Sequence, residues 1–492
     1  MKSGNSYDKI ITALKRRKKG AVAADISADT ALPLHEVRQL LPKAADEYSG
    51  HLQVTESGEI MYTFPDGFTS RYRGAGVKLK KIAVIFFKGL KITSVFLFKI
   101  WIMIMLIGYF LLFIAIALGA VVLSMAAQSK SSDRRSAHMG PNLFGIIWRI
   151  WFVSEITRPR YGYQQVPVTQ KEKGRPMHKA IFSFVFGEGD PNKNWNEMQD
   201  KTIISYIQSN NGVISIVEYM VFSGKNSLEA EKDILSFCAR FGGSPEVTEE
   251  GTIVYRFDEL LLRSDSRKFA ELSPPVKRLK TFSDNKKNKN IWFIVINAVN
   301  LFFGSYFLYN AITTGFLLTE IQYQAASYLY AIVHWFLHAV TLNPPAVIGV
   351  VLGAVPFVFS LLFWLIPAIR KYMENKENEE IKLSNFKSFS FSKIWAFPLN
   401  VDNKKITPAV AECRPKNLEM AADIVIKELG VISNPEVKIG SKGETLYSFE
   451  GLKTEKQALK KYRDSLDPKR AELGKTVFDS SVLTPVISQD RL

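Results

Sequence analysis

Ile100-Trp101-Ile102-Met103-Ile104-Met105-Leu106-Ile107-Gly108-Tyr109-Phe110 heads a run that carries no formal charge from Ile100 to Ser129. Crossing the hydrocarbon layer of a bilayer takes about 20 apolar residues, so the run is long enough to span. A buried helix of a water-soluble domain rarely needs so long a stretch without charge. The chain therefore reads as an integral membrane protein. Just upstream, Ile82–Phe98 is apolar except for Lys88 and Lys91. It reads as an interfacial helix whose lysines reach back to the headgroups.

A second apolar region runs from Ile291 to Ile369, interrupted by a single formal charge, Glu320. It holds a span around Ile291–Tyr309 and another around Ala346–Ile369. Between them Ile321–Thr341, with His334 and His338, is moderately apolar. This gives residues 291–369 two to three helical segments. Basic residues flank both regions: Lys78, Lys80 and Lys81 before the first, Lys130, Arg134 and Arg135 after it. Lys277, Arg278, Lys280, Lys286, Lys287 and Lys289 precede the second, and Arg370 and Lys371 follow. The positive-inside rule places all four flanks in the cytoplasm and requires an even number of crossings in each region. The expectation for 82–129 is thus a hairpin of the interfacial run and the uncharged run, preferred over one span.

Composition agrees with soluble modules on membrane segments. The 492 residues carry a net charge of +17 and 23% charged side chains. Such a balance suits nucleic acid or an anionic membrane surface. Two distant cysteines, Cys238 and Cys413, support neither a disulfide framework nor a zinc knuckle. No apolar segment precedes residue 82, so a cleaved secretory signal is not expected, and the N-terminal module is placed in the cytoplasm. The membrane assigned is a cell inner or plasma membrane, crossed more than once.

Outside the apolar regions one pattern recurs. In residues 1–75, a helix near Tyr7–Lys18 is followed by Val22–Thr30 and a helix opening at Leu32-Pro33. Leu52–Phe64 then alternates around Ser57-Gly58 as the strands of a hairpin do. The soluble domain 136–288 repeats this. A helix near Lys201–Gln208 and another near Ser227–Phe237 precede Val247-Thr248-Glu249-Glu250-Gly251-Thr252-Ile253-Val254-Tyr255-Arg256-Phe257. That segment shares Val-Thr-Glu-x-Gly and Tyr-x-Phe with Val54–Phe64 at identical spacing. In residues 400–480, a helix at Asn417–Leu429 precedes Gly443-Glu444-Thr445-Leu446-Tyr447-Ser448-Phe449. Three copies of Gly-[Glu/Thr]-x-x-Tyr-x-Phe point to internal duplication. Tyr and Phe two apart share a strand face, which assigns them to the core.

Helices followed by a two-stranded wing resemble the winged-helix superfamily. Phe186-Gly187-Glu188-Gly189-Asp190-Pro191-Asn192, Phe241-Gly242-Gly243-Ser244-Pro245-Glu246-Val247 and Val254-Tyr255-Arg256-Phe257 are similar to a group of uncharacterised bacterial and plastid membrane proteins. In that group Gly-Asp-Gly-Asp-Pro-Asn and Gly-x-x-x-Tyr-x-Phe lie beside transmembrane segments. Here Glu188 stands where Asp is usual. The resemblance implies architecture and no activity. The fold class expected is α+β: a multi-domain integral membrane protein with three small winged-helix-like modules and α-helical transmembrane segments.

Site chemistry is sparse. No Walker motif, dinucleotide fingerprint, zincin signature or nucleophile elbow occurs, so no catalytic residue, cofactor or metal is assigned. Glu188, Asp190 and Asn192 offer oxygen ligands, yet a structural loop capped by Asp190 or Asn192 explains them more simply. His334 and His338, four apart, share a helix face but lack the zincin glutamate. Glu320, His334 and His338 are kept as candidate polar residues of the membrane domain, since ionisable groups at depth are often functional. For DNA or lipid contact the candidates are Lys15, Arg16, Arg17, Lys18, Lys19, Arg38 and Gln39. The reading is a membrane-anchored interaction or assembly scaffold. Its partners are the bilayer, anionic headgroups and other proteins, in a membrane complex or homo-oligomer. A tethered DNA-binding regulator and a membrane enzyme or transport component are the alternatives.

Overall fold

A computed structural model describes residues 2–17, 20–65, 67–71, 75–128, 175–264, 272–314, 328–341, 343–402, 406–440 and 443–481. The chain is mixed helix and sheet. Met1–Lys81, Pro191–Leu279 and Glu377–Leu492 form one compact unit; Ile82–Asp190 and Lys280–Lys376 form another.

In the first unit, three segments follow one order of elements. The first has helices Lys2–Leu14, Ala23–Thr30 and Leu34–Glu47, then strands β1 (His51–Thr55) and β2 (Ile60–Thr63). Pro33 sits at the N-cap of the third helix rather than inside its first turn. The second has helix Trp195–Ser209, strand β3 (Val213–Ser215), helices Ile216–Ser223 and Ser227–Phe241, and strands β4 (Ser244–Val247) and β5 (Ile253–Arg256). In the third, helix Leu418–Ile432 leads to β6 (Glu436–Ile439) and β7 (Thr445–Ser448). Its core reaches upstream of residue 400. Phe386, Phe391, Ile394 and Trp395, on the last turns of the long helix Val355–Ala396, are buried with Val425, Leu429 and Phe449.

The three hairpins share one register. Leu52 faces Tyr62, Pro245 faces Tyr255 and Val437 faces Tyr447. Each Tyr also pairs antiparallel with a residue that precedes the module's later helices: Ala21, Ile214 or Val401. The turn glycines Gly58, Gly251 and Gly443 all take φ near +80°, where a side chain would strain the backbone. Tyr62, Tyr255, Phe257 and Phe449 are buried, as the strand-face argument expects; Phe64 and Tyr447 are only half-buried. Phe257 meets Phe237 edge-on at 5.6 Å, closing the second module's core over its third helix.

The second unit carries the apolar helices. Gly89–Met125, Lys287–Thr313 and Pro344–Ala396 are long and apolar enough to cross a membrane by length and composition. The expected hairpin within 82–129 is not formed. Ala75–Met103, a π-helical turn at Ile104–Gly108 and Tyr109–Gln128 follow one another as a continuous helix. No turn-forming residue breaks the run, and every backbone group can bond within the helix, so nothing drives reversal.

Polar groups inside this unit are spent on packing. A π turn shifts the ladder and frees a carbonyl. Asn300 Nδ2 donates to Leu106 O in the first π turn at 2.6 Å. Tyr109 OH donates to Val351 O in a second π turn, Ile348–Ala354, at 2.9 Å. Asn297 Nδ2 donates to Ser360 O at 2.9 Å. A Cβ on Gly304 would lie 2.9 Å from Phe357 N, and one on Gly353 would lie 2.8 Å from Leu308 N. Glycine at both positions lets the two backbones touch, the packing that helices in lipid favour.

Candidate functional site

The first unit gathers its charge chemistry where modules meet. Asp25 and Glu218 hold the same place, in the first turn of each module's second helix. Both are almost fully buried. Glu218 accepts from the backbone N–H of Ser215 at 3.2 Å, completing a capping box with the Ser215 hydroxyl. Arg463, on helix Glu450–Ser465, donates to Glu218 through both terminal nitrogens at 3.1 and 2.6 Å. One of them also donates to Val213 O at 2.7 Å. Tyr206 OH donates to Glu218 at 2.5 Å. Burial, then the Glu218 charge, pushes the Tyr206 hydroxyl far above its ordinary range and keeps it a donor. Asp25 is served in parallel by Arg17 at 3.2 Å and by the N–H of Ser264 at 3.0 Å.

Glu455 lies in the same cluster. Burial, with help from the Glu218 charge, pushes its carboxyl up to about 7, against a lowering hydrogen bond from Ser215. Beside the cluster opens a cleft of about 760 Å³ lined in part by Tyr206, Glu218, Trp395, Lys456 and Arg463. Lys456 Nζ donates to Trp395 O and Ala396 O, both at 3.2 Å. Sequence reading missed Glu218, Arg463 and Glu455. Aligning the first two modules on their tyrosines brings Asp25 over Glu218, and that coincidence of buried acids was the available signal.

The outer edges of the three hairpins differ. β1 pairs with strand β8 (Thr476–Asp479) from the C-terminal end of the described chain. Ser480 N donates to Leu52 O at 2.9 Å, and Leu52 N donates to Ser480 Oγ at 2.8 Å. On the second wing, Tyr462 OH donates to Glu246, and Lys461 pairs with Glu249 and Glu250 at 2.9 and 2.8 Å. β6 has no strand on its outer edge among the described residues.

The residues singled out for DNA or lipid contact scatter. Lys15, Arg16 and Gln39 are exposed. Arg17 is held by Asp25 and by Asp29 at 2.7 Å. Arg38 bridges Glu59 at 2.7 Å and Glu259 of the second module at 2.9 Å, so it serves a module junction. Lys18 and Lys19 lie outside the described residues, as does Glu320. His334 is buried and stacks on Tyr330 at 6.3 Å; His338 is exposed, 6.2 Å from it. No cluster of three or more His, Cys, Asp or Glu suited to a metal occurs among the described residues.

The loop after Phe186 is a latch. Glu188 takes two hydrogen bonds from Arg175, at 2.5 and 2.6 Å, one from Ser183, and the N–H of Asp284 at 3.2 Å. The Arg175 contact chiefly holds its carboxyl down to about 2. Arg370 fills the space beside Gly187 and donates to Phe184 O, Val185 O and Phe282 O. Phe184 O and Val185 O belong to the last turn of helix Met177–Phe186, where carbonyls have no N–H donor from their own helix, and Arg370 supplies one. Asn192 is tied to the backbone of Arg278: its Nδ2 donates to Arg278 O at 2.7 Å and its Oδ1 accepts from Arg278 N–H at 3.0 Å.

The chain is similar to an uncharacterized chloroplastic protein of Arabidopsis thaliana. The two are 24% identical over 422 residues, 80% of this chain and 74% of that protein. No family model matches the chain. No solved structure matches it.

Proposed function

We propose that the three soluble modules are winged helices, that the apolar helices cross a membrane, and that the protein is a membrane-anchored assembly scaffold. The observation that carries this reading is how the modules spend their recognition elements. In a DNA-binding winged helix the third helix and the wing face the duplex. Here the third helix of the first module puts Arg38 into ion pairs with protein carboxylates. Its wing is extended by β8. The corresponding helix of the second module exposes Glu229 and Glu231, a poor face for a polyanion.

Joint packing also bears on topology. Segments that share a core lie on one side of a membrane, so the chain crosses an even number of times between 82 and 190 and again between 280 and 376. The lysines flanking the apolar runs favour the cytoplasmic face.

Exposed Ser57, Lys193 and Asn434 provide one labelling site per segment. Single cysteines there are expected to react from the same side of sealed membranes. A split pattern overturns the topology. For the scaffold itself, crosslinking and co-purification of the full-length chain from native membranes should recover protein partners. A reproducible motif selected from a random duplex library by the full chain, with no partner recovered, decides for DNA recognition instead.

A further inference from the structure

Among the described residues, the hairpin of the third module presents an open edge with a self-complementary sequence. Tyr447 exchanges both of its backbone hydrogen bonds with Val401, at 2.8 and 2.9 Å. Val437, which faces Tyr447, therefore makes no ladder bond to β7, and its own N–H and C=O point away from the sheet. Ile439, two residues on, repeats this. Both side chains are exposed, at 60% and 83%. At the equivalent position of the first wing, the outward groups of Leu52 are taken by Ser480. At that of the second stands Pro245, which has no N–H to offer. Residues 450–480, which follow the third hairpin, thus reach the first two wings, and among the described residues the third keeps a free edge.

We propose that β6 is the dimerisation edge of this protein and pairs antiparallel with β6 of a second copy. About a two-fold axis through Val437, the sequence Glu436-Val437-Lys438 complements itself. Val437 meets Val437 through two backbone hydrogen bonds. Each Glu436 faces a Lys438 of the other copy, in place of the Glu436–Lys438 contact of 3.2 Å within one strand. Each Ile439 N–H meets the Pro435 carbonyl opposite, so the proline's missing donor spares both of these bonds. The inference gives the scaffold reading its partner, a second copy, and rests on that reading for its role; its chemistry stands on the wing alone.

Full-length protein in detergent carries the test. Cys238 and Cys413 are both buried. A Val437→Cys chain is expected to give a disulfide-linked dimer on mild oxidation, because facing Cα atoms of a hydrogen-bonded antiparallel pair lie about 5.5 Å apart. Glu436→Lys sets like charges opposite each other twice and is expected to weaken the dimer about tenfold by sedimentation. Glu436→Lys/Lys438→Glu restores complementarity and is expected to recover it. Unchanged thermal unfolding of the Glu436→Lys chain shows that the loss is one of pairing. A monomer at all concentrations, no crosslink through Val437→Cys, or a dimer indifferent to the charge swap overturns the proposal. If a monomeric wild-type chain still co-purifies with other proteins, self-pairing falls and the scaffold reading stands.

Discussion

The first and third wings are built alike and end differently. Leu52 and Val437 stand at the same register point, each facing a tyrosine whose backbone is bonded to the strand beyond. Ser480 satisfies Leu52, while nothing described satisfies Val437. Hairpins of one register are thus set apart by what covers their outer edges, and the covering comes from residues 450–480. The second wing teaches the same lesson by another route, with Pro245 removing the donor and helix Glu450–Ser465 lying against Glu246.

That helix is where the comparison breaks most readily. Arg463→Met leaves Glu218 buried without its cation and is expected to cost about 3–5 kcal/mol in chemical denaturation. A loss under 1 kcal/mol would mean that the helix is held by its other contacts, Tyr462 with Glu246 and Lys461 with Glu249 and Glu250 among them, without need of the Arg463 pair. Phe257→Ala should cost a similar 3–5 kcal/mol through the cavity it leaves. Tyr447→Ala, at a half-buried position, should cost clearly less; equal losses would erase the difference between the wings.

The docking of that helix should also depend on pH. Glu455 binds its proton more tightly in the folded protein than in the unfolded chain, where its carboxyl has the ordinary value near 4.5. Its contribution is therefore fully present below about pH 4.5, declines as pH rises, and is lost above about pH 7. The span is at most about 3 kcal/mol by linkage. Glu455→Gln should flatten this part of the stability profile; an unchanged slope would assign it to another group.

The smallest effect is expected at the first wing. Ser480→Ala keeps the N–H bond to Leu52 O but removes the hydroxyl acceptor, at a cost of about 0.5–1.5 kcal/mol. Hydrogen exchange at the Leu52 amide should quicken toward that of an unbonded edge amide. Exchange at Leu52 that stays slow would show that β8 needs no help from Ser480.

Much of this was legible in sequence because its signals are local. Charge-free length identified the apolar helices, and Tyr-x-Phe after a glycine marked all three hairpins, since alternation and a positive φ are properties of a few adjacent residues. The hairpin expected in 82–129 failed because it was argued from flanking charge, whereas the helix itself contains nothing that turns it. Tertiary structure alone decided that Arg38 and Arg17 are spent on carboxylates, that Glu188 latches Arg175, and that the third module takes its first helix from the end of Val355–Ala396. Each depends on a side-chain partner beyond the local pattern, 12 residues away for Arg17 and Asp29 and 221 for Arg38 and Glu259, and periodicity carries no information about such partners. The sequence by itself determined three hairpins that share a glycine turn and a Tyr-x-Phe strand, and the apolar helices that accompany them. Which wing is extended, which lacks a donor and which stays open was decided by where residues 450–480 come to rest, because a strand edge is satisfied by whatever reaches it in space.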